Sequence, residues 1–168
     1  MNTEHVEPAP AARIIEREIY LPDQQATEAL AAALATLARP GDVIALHGDL
    51  GTGKTAFARA FVRARGGGEE VPSPTFTLVQ TYDLPEGEIW HFDLYRLEAP
   101  DDALELDIED AFADGISLIE WPERLGPYLP ADRLDITFTF GKTDQARRVQ
   151  VVAGNAWSGR IESVALND

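Results

Sequence analysis

The sequence has no cysteine, two lysines, and no apolar run approaching the roughly 18 residues that would suggest a membrane span. Without cysteine there are no disulfides and no thiolate metal sites, which mildly favours the cytosol. Positive charge is scarce: Lys and Arg together number 14 against 29 Asp and Glu, for a net charge of −15. A protein that grips a nucleic-acid backbone by itself presents a basic face, and this composition argues against one. Acids stand in residues 1–12 where a signal or transit peptide carries basic residues. That stretch is expected to be a disordered N-terminal tail. A single domain is expected over residues 13–168, a length that holds one core and not comfortably two. The expected setting is cytoplasmic, without membrane contact, and the chain alone is expected to be a monomer.

The sequence is richest in chemistry between Val43 and Thr55. Gly48, Gly53, Lys54 and Thr55 satisfy the spacing G-x-x-x-x-G-K-[ST], with an apolar run before them and a helical pattern after them. Each residue type has a reason. Gly48, Gly51 and Gly53 carry no Cβ, so backbone N–H groups come close to a polyphosphate. The helix that starts near Lys54 adds unpaired N–H groups and a partial positive charge. Lys54 adds a full charge for β and γ phosphates, and Thr55 offers a hydroxyl to Mg²⁺.

Around this loop the periodicity predicts a strand over Arg13 to Leu21 and then a helix with Asp23 as N-cap, stopped by Pro40-Gly41. A buried strand over Asp42 to His47 feeds the loop, and a helix over Thr55 to Arg65 follows it. Thr75 to about Tyr82 and Glu88 to Asp93 read as two strands around the turn Leu84-Pro85-Glu86-Gly87. Asp101 to Phe112 reads as an acidic helix, and Ile116 to Glu120 as another buried strand. Leu134 to Phe140 and Arg147 to Val152 read as strands, with Trp157 to Leu166 as a third. The sum is an α/β, P-loop NTPase-like three-layer domain with a central mixed β-sheet whose later strands are antiparallel.

Two carboxylates close apolar strands, where an open α/β sheet places its ligand site. Asp93 ends Ile-Trp-His-Phe-Asp, the pattern of a Walker B strand, whose acid holds Mg²⁺ directly or through water. The competing reading is a cap or turn residue. Glu120 ends Ile-Ser-Leu-Ile-Glu and points toward the same cleft, against a plain helix-start glutamate.

Four segments in order resemble the TsaE family, formerly YjeE. They are Gly-Asp-Leu-Gly-Thr-Gly-Lys-Thr (48 to 55), Ser-Pro-Thr-Phe-Thr-Leu-Val (73 to 79), His-Phe-Asp-Leu-Tyr-Arg-Leu (91 to 97) and Ile-Glu-Trp-Pro-Glu (119 to 123). The resemblance spans about Leu21 to Val152. It implies a small bacterial ATPase, with ATP and Mg²⁺ as cofactors, required for threonylcarbamoyladenosine beside the tRNA anticodon and acting with TsaD and TsaB. It further implies that Leu50, Gly51, Thr52, Gly53, Lys54 and Thr55 hold the phosphates, and that Thr55 and Glu120 ligate Mg²⁺. Asp93 would be the Walker B acid needed for hydrolysis, and Thr75 would sit in a switch-like loop near the γ-phosphate. Further nucleotide contacts would fall around Pro22, near Glu123 and in the turn Lys142 to Asp144.

The main alternative is a small-molecule P-loop kinase, which would bring several arginines on a mobile helical lid, whereas residues 134–166 read as strands. A Ras-like GTPase is third, since its Asn-Lys-x-Asp has only Gly141-Lys142-Thr143-Asp144 as a near match. A non-catalytic nucleotide-binding module would be free to lose Asp93 or Glu120, and both are present. No arginine finger is obvious, Arg96 being the nearest candidate to Asp93. Slow hydrolysis by the chain alone, completed by protein partners, is therefore expected. With this net charge, tRNA would be reached only indirectly, through TsaD and TsaB.

Overall fold

The computed structural model describes residues 14–68 and 77–163. Seven strands form one mixed sheet: β1 (Ile15–Leu21), β2 (Val43–Gly48), β3 (Val79–Leu84), β4 (Gly87–Asp93), β5 (Ile116–Glu120), β6 (Leu134–Phe140) and β7 (Arg147–Ala153). Their spatial order is β1-β7-β6-β2-β5-β4-β3. The strands β6, β2, β5 and β4 run parallel, and β3, β7 and β1 add antiparallel edges. β2 and β5 read as continuous apolar runs because strands at the centre of a parallel sheet are covered on both faces.

Among the described residues there are four α-helices, α1 (Gln24–Ala35), α2 (Lys54–Ala64), α3 (Ile108–Asp114) and α4 (Asn155–Ser163). α1 starts where Asp23 accepts the Ala26 N–H at 2.9 Å. Its Leu30 and Leu34 join Phe57 and Phe61 of α2 and Ile44, Leu46 and Phe138 of the sheet in one core. The neighbouring residues Val43 and Ile119 belong to a second core with Phe92, Leu97, Ile108 and Leu125. Alternate strand residues thus feed opposite faces, and helical segments cover both.

Three expectations need correction. The segment Asp101 to Phe112 is not one helix: a 3₁₀ turn over Pro100–Leu106 is followed by α3, with Asp107 between them at φ 59°. Its buried residues Ala103, Ile108 and Ala111 explain this, since the first gap of five does not return to the same face of a straight helix. The segment from Trp157 is helical, not a strand: Trp157 and Ile161, four apart, are both buried. Asp132 caps this helix by accepting the Ala156 N–H at 3.0 Å, and Arg160 forks onto both oxygens of Asp42 at 2.6 and 2.9 Å. Residues 164–168 lie outside the described residues. The strand expected from Thr75 is described from Val79, and it runs on to Leu84. The later strands β6 and β7 pair antiparallel, as expected, and β6 joins the parallel part of the sheet through β2. No helix among the described residues is long and apolar enough to cross a membrane.

Candidate functional site

Parallel β2, β4 and β5 end at the same edge of the sheet. Leu46 of β2 and Asp93 of β4 are both register partners of Glu120 at the end of β5. The loop after β2 therefore arrives beside two carboxylates that lie 27 positions apart in the chain. A cavity of about 620 Å³ opens there, lined among others by residues 50–56, Asp93, Tyr95, Glu120, Trp121 and Arg147. This is the carboxyl edge at which open α/β sheets bind ligands.

The loop needs its glycines. Gly48 has φ +139°, and a Cβ there would lie 2.7 Å from the Phe138 carbonyl oxygen and 2.8 Å from Thr52 Oγ1. Gly53 caps α2 at φ +109°, a conformation that side chains rarely adopt. Thr52 is buried and its hydroxyl donates to the Asp49 carbonyl at 2.7 Å, which closes the loop on itself.

Lys54 is only 4% exposed. Its Nζ donates to the Gly48 carbonyl and stands 3.5 Å from the centroid of the Trp121 ring. Burial lowers its pKa below the ordinary lysine range, against the opposing charges of Glu120, Glu123, Asp93 and Asp49. The ring and the surrounding acids hold the ammonium in place. Trp121 adopts φ +58° directly before Pro122, where an extended backbone is usual. Its ring also packs on Tyr95, 5.0 Å between centroids. Backbone strain of this kind collects at ligand sites.

Glu120 is 2% exposed, and both oxygens are engaged. Oε1 accepts the Thr55 hydroxyl at 2.8 Å, and Oε2 lies 2.7 Å from Nε2 of fully buried His91. No hydrogen-bond partner for His91 Nδ1 is found among the described residues. A hydroxyl beside a carboxylate is a hard oxygen pair of the kind that suits Mg²⁺. Among the described residues no group of three or more His, Cys, Asp or Glu could hold a metal. Mg²⁺ commonly takes one or two protein oxygens and completes its shell with water and substrate phosphates, so the pair fits it.

Asp93 is buried, and its Oδ1 accepts the Tyr95 N–H at 3.2 Å. Burial, and then the charge of Glu120, raise its pKa above the ordinary carboxylate range. A group whose folded pKa is raised stabilises the fold below its unfolded pKa, and that contribution is lost as pH rises through the folded pKa. Asp93→Asn removes the buried charge and is expected to raise the Tm of the unliganded protein at pH 7. The gain should shrink as pH falls through the raised pKa. Thermal unfolding of both proteins from pH 4 to 8 checks this.

Of the site residues expected from sequence, the fold gathers Leu50, Gly51, Thr52, Gly53, Lys54, Thr55, Asp93 and Glu120 around one cavity. Leu50 is 70% exposed at its rim. Pro22 is exposed and does not line the cavity, although its neighbours Gln24 and Thr27 do. Glu123 is exposed and also off the lining, and its charge reaches Lys54 from a distance. In the β6–β7 turn it is Asp144 and Gln145, not Lys142, that face the cavity. Thr75 lies outside the described residues. Arg96 is exposed and off the cavity lining; Arg147 is on it. His91, Tyr95, Trp121 and Arg147 were not singled out by sequence as site residues. His91 had a signal, because it stands two residues before Asp93 on one strand and so shares its face.

A glycine-rich loop between a parallel strand and a helix, with Lys and Thr opening that helix and two acids on adjacent strand ends, defines a P-loop α/β protein. The family can then be given. Residues 21–149 match the model of "Threonylcarbamoyl adenosine biosynthesis protein TsaE", and the chain belongs to the TsaE family. Relatives named tRNA threonylcarbamoyladenosine biosynthesis protein TsaE include that of Bacillus subtilis, 34% identical over 84% of this chain and 89% of its own length. That of Rickettsia bellii is 36% identical over 74% of this chain and 87% of its own. That of Haemophilus influenzae is 40% identical over 74% and 78%. The crystal structure of Bacillus subtilis YdiB superposes with a TM-score of 0.72 at 28% identity, covering 89% of this chain and 94% of that one.

Proposed function

We propose that the chain binds Mg-ATP in this cavity and hydrolyses it in the service of tRNA threonylcarbamoyladenosine biosynthesis, together with TsaD and TsaB in the cytoplasm. The observation that carries the reading is the Thr55–Glu120 pair beside Lys54 and Asp93 at the mouth of a glycine loop. Family membership and the names of the relatives supply the pathway.

In this reading backbone N–H groups of residues 50–55 and the Lys54 ammonium hold the phosphates. Thr55 and Glu120 would hold Mg²⁺, which neutralises charge on the phosphate oxygens when bound. His91 fixes the orientation of Glu120 through its Nε2 contact. Asp93 positions the attacking water and takes its proton, a task that suits a carboxylate whose proton affinity is raised by burial. Against the kinase alternative, α4 is packed into the core and its Arg160 is committed to Asp42 at the far end of β2.

Glu120→Ala is expected to leave ATP affinity in EDTA unchanged and to reduce affinity in Mg²⁺ to that same level. Calorimetry in both buffers measures it. For the pathway, threonylcarbamoyl transfer to tRNA by TsaD and TsaB should sustain many turnovers only when this chain and ATP are both present. ATP turnover by the chain should rise above its basal rate with TsaB and TsaD and not with tRNA alone, given the net charge of −15. Undiminished transfer without the chain, or strong stimulation by bare tRNA, contradicts the proposal.

A further inference from the structure

Arg147 opens β7 and lies 95 positions after Thr52, yet its guanidinium lies against the P-loop. Nε donates to the Thr52 carbonyl at 3.0 Å and Nη2 to the Gly51 carbonyl at 3.3 Å. On the other side Nη1 donates to the carbonyls of Asp144 and Ala146, both at 2.8 Å. The guanidinium carbon stands 5.0 Å from the centroid of the Phe140 ring. One planar cation therefore ties the tip of the P-loop to the turn between β6 and β7, and both segments line the cavity.

Within the loop, buried Thr52 bonds the Asp49 carbonyl through its hydroxyl and its N–H. Beside it a Cβ at Gly51 or at Gly53 would meet nothing within 4 Å, and glycine has the largest backbone freedom to lose on ordering. In a planar trans peptide the carbonyl and the following N–H point in opposite directions. Holding the Thr52 carbonyl toward Arg147 therefore fixes the direction of the Gly53 N–H, one of the groups that would meet a polyphosphate. An ammonium on a flexible stem cannot reproduce this fork to four carbonyls.

We propose that Arg147 is a positioning residue that orders the P-loop before ligand arrives and couples it to the 141–146 turn. The consequence for binding rests on the nucleotide reading above; the ordering of the loop does not. The test compares the full chain with Arg147→Lys and Arg147→Gln, using amide hydrogen exchange without ligand and calorimetry with Mg-ATP. In both variants exchange should accelerate on the order of tenfold or more at the bonded N–H groups of Thr52 in the loop and of Gly141 and Ala146 in the turn, while β2 and β5 keep wild-type protection. Mg-ATP affinity should fall by about tenfold in both. If the wild type binds no nucleotide, the functional reading fails and the exchange data alone decide on Arg147. Unchanged exchange in both variants overturns the proposal. Faster exchange with unchanged affinity overturns the consequence for binding and upholds the ordering. Lower turnover with wild-type affinity and exchange overturns the proposal and would mark Arg147 as contacting the reacting phosphate.

Discussion

Asp93→Asn is expected to lower ATP turnover by about 10²- to 10⁴-fold while leaving Mg-ATP affinity within a few-fold of wild type. The reasoning starts from position. Asp93 and Glu120 are register partners on adjacent parallel strands, yet only Glu120 touches Thr55. Asparagine keeps the size and the capacity to accept the Tyr95 N–H, and loses the ability to take a proton. An interaction used only in the transition state changes turnover and not ground-state binding. Steady-state hydrolysis with parallel calorimetry separates the two. Abolished binding in Asp93→Asn, with normal hydrolysis in Glu120→Ala, would require the roles of the acids to be exchanged.

Lys54→Ala is expected to weaken Mg-ATP binding by roughly ten- to a hundredfold, the worth of a charge-assisted hydrogen bond to phosphate. Its setting explains why a buried lysine is tolerated there. The charges of four acids act on it, the Gly48 carbonyl accepts from it, and the Trp121 ring covers it. In the proposed function an arriving polyphosphate would replace these partners with stronger ones. Lys54→Arg should not restore the affinity, because a planar fork does not fit where one Nζ meets a carbonyl and an aromatic face. Calorimetric titration of the three proteins with Mg-ATP checks both statements.

The parts of this site that sequence discloses are those whose chemistry is local. Gly48 to Thr55 carry their own spacing, and Asp93 and Glu120 are readable because an acid that closes an apolar strand stands out. Their meeting follows from parallel strands that end at one edge. Arg147 shows the limit. Nothing near it in sequence hints that its partners are the carbonyls of Gly51 and Thr52, since that contact exists only once β7 has paired between β6 and β1. The C-terminal segment misled for a related reason. Trp157 to Leu166 carries aromatic and β-branched residues that suit a strand, and the burial of Trp157 and Ile161 in the main core decides for helix. Between Pro100 and Asp114 the apolar spacing breaks once, at Asp107, and so does the helix.

Titration of the full chain with ATP by calorimetry, in Mg²⁺ and again in EDTA, tests the central claim most directly, because the roles assigned to Lys54, Thr55, Asp93 and Glu120 all depend on this cavity holding Mg-ATP. The account predicts one site per chain, weaker binding when Mg²⁺ is chelated, and weaker binding of GTP, since the guanine-reading Asn-Lys-x-Asp is missing. Absence of ATP binding to the folded chain, or equal affinity of wild type and Lys54→Ala, would contradict it.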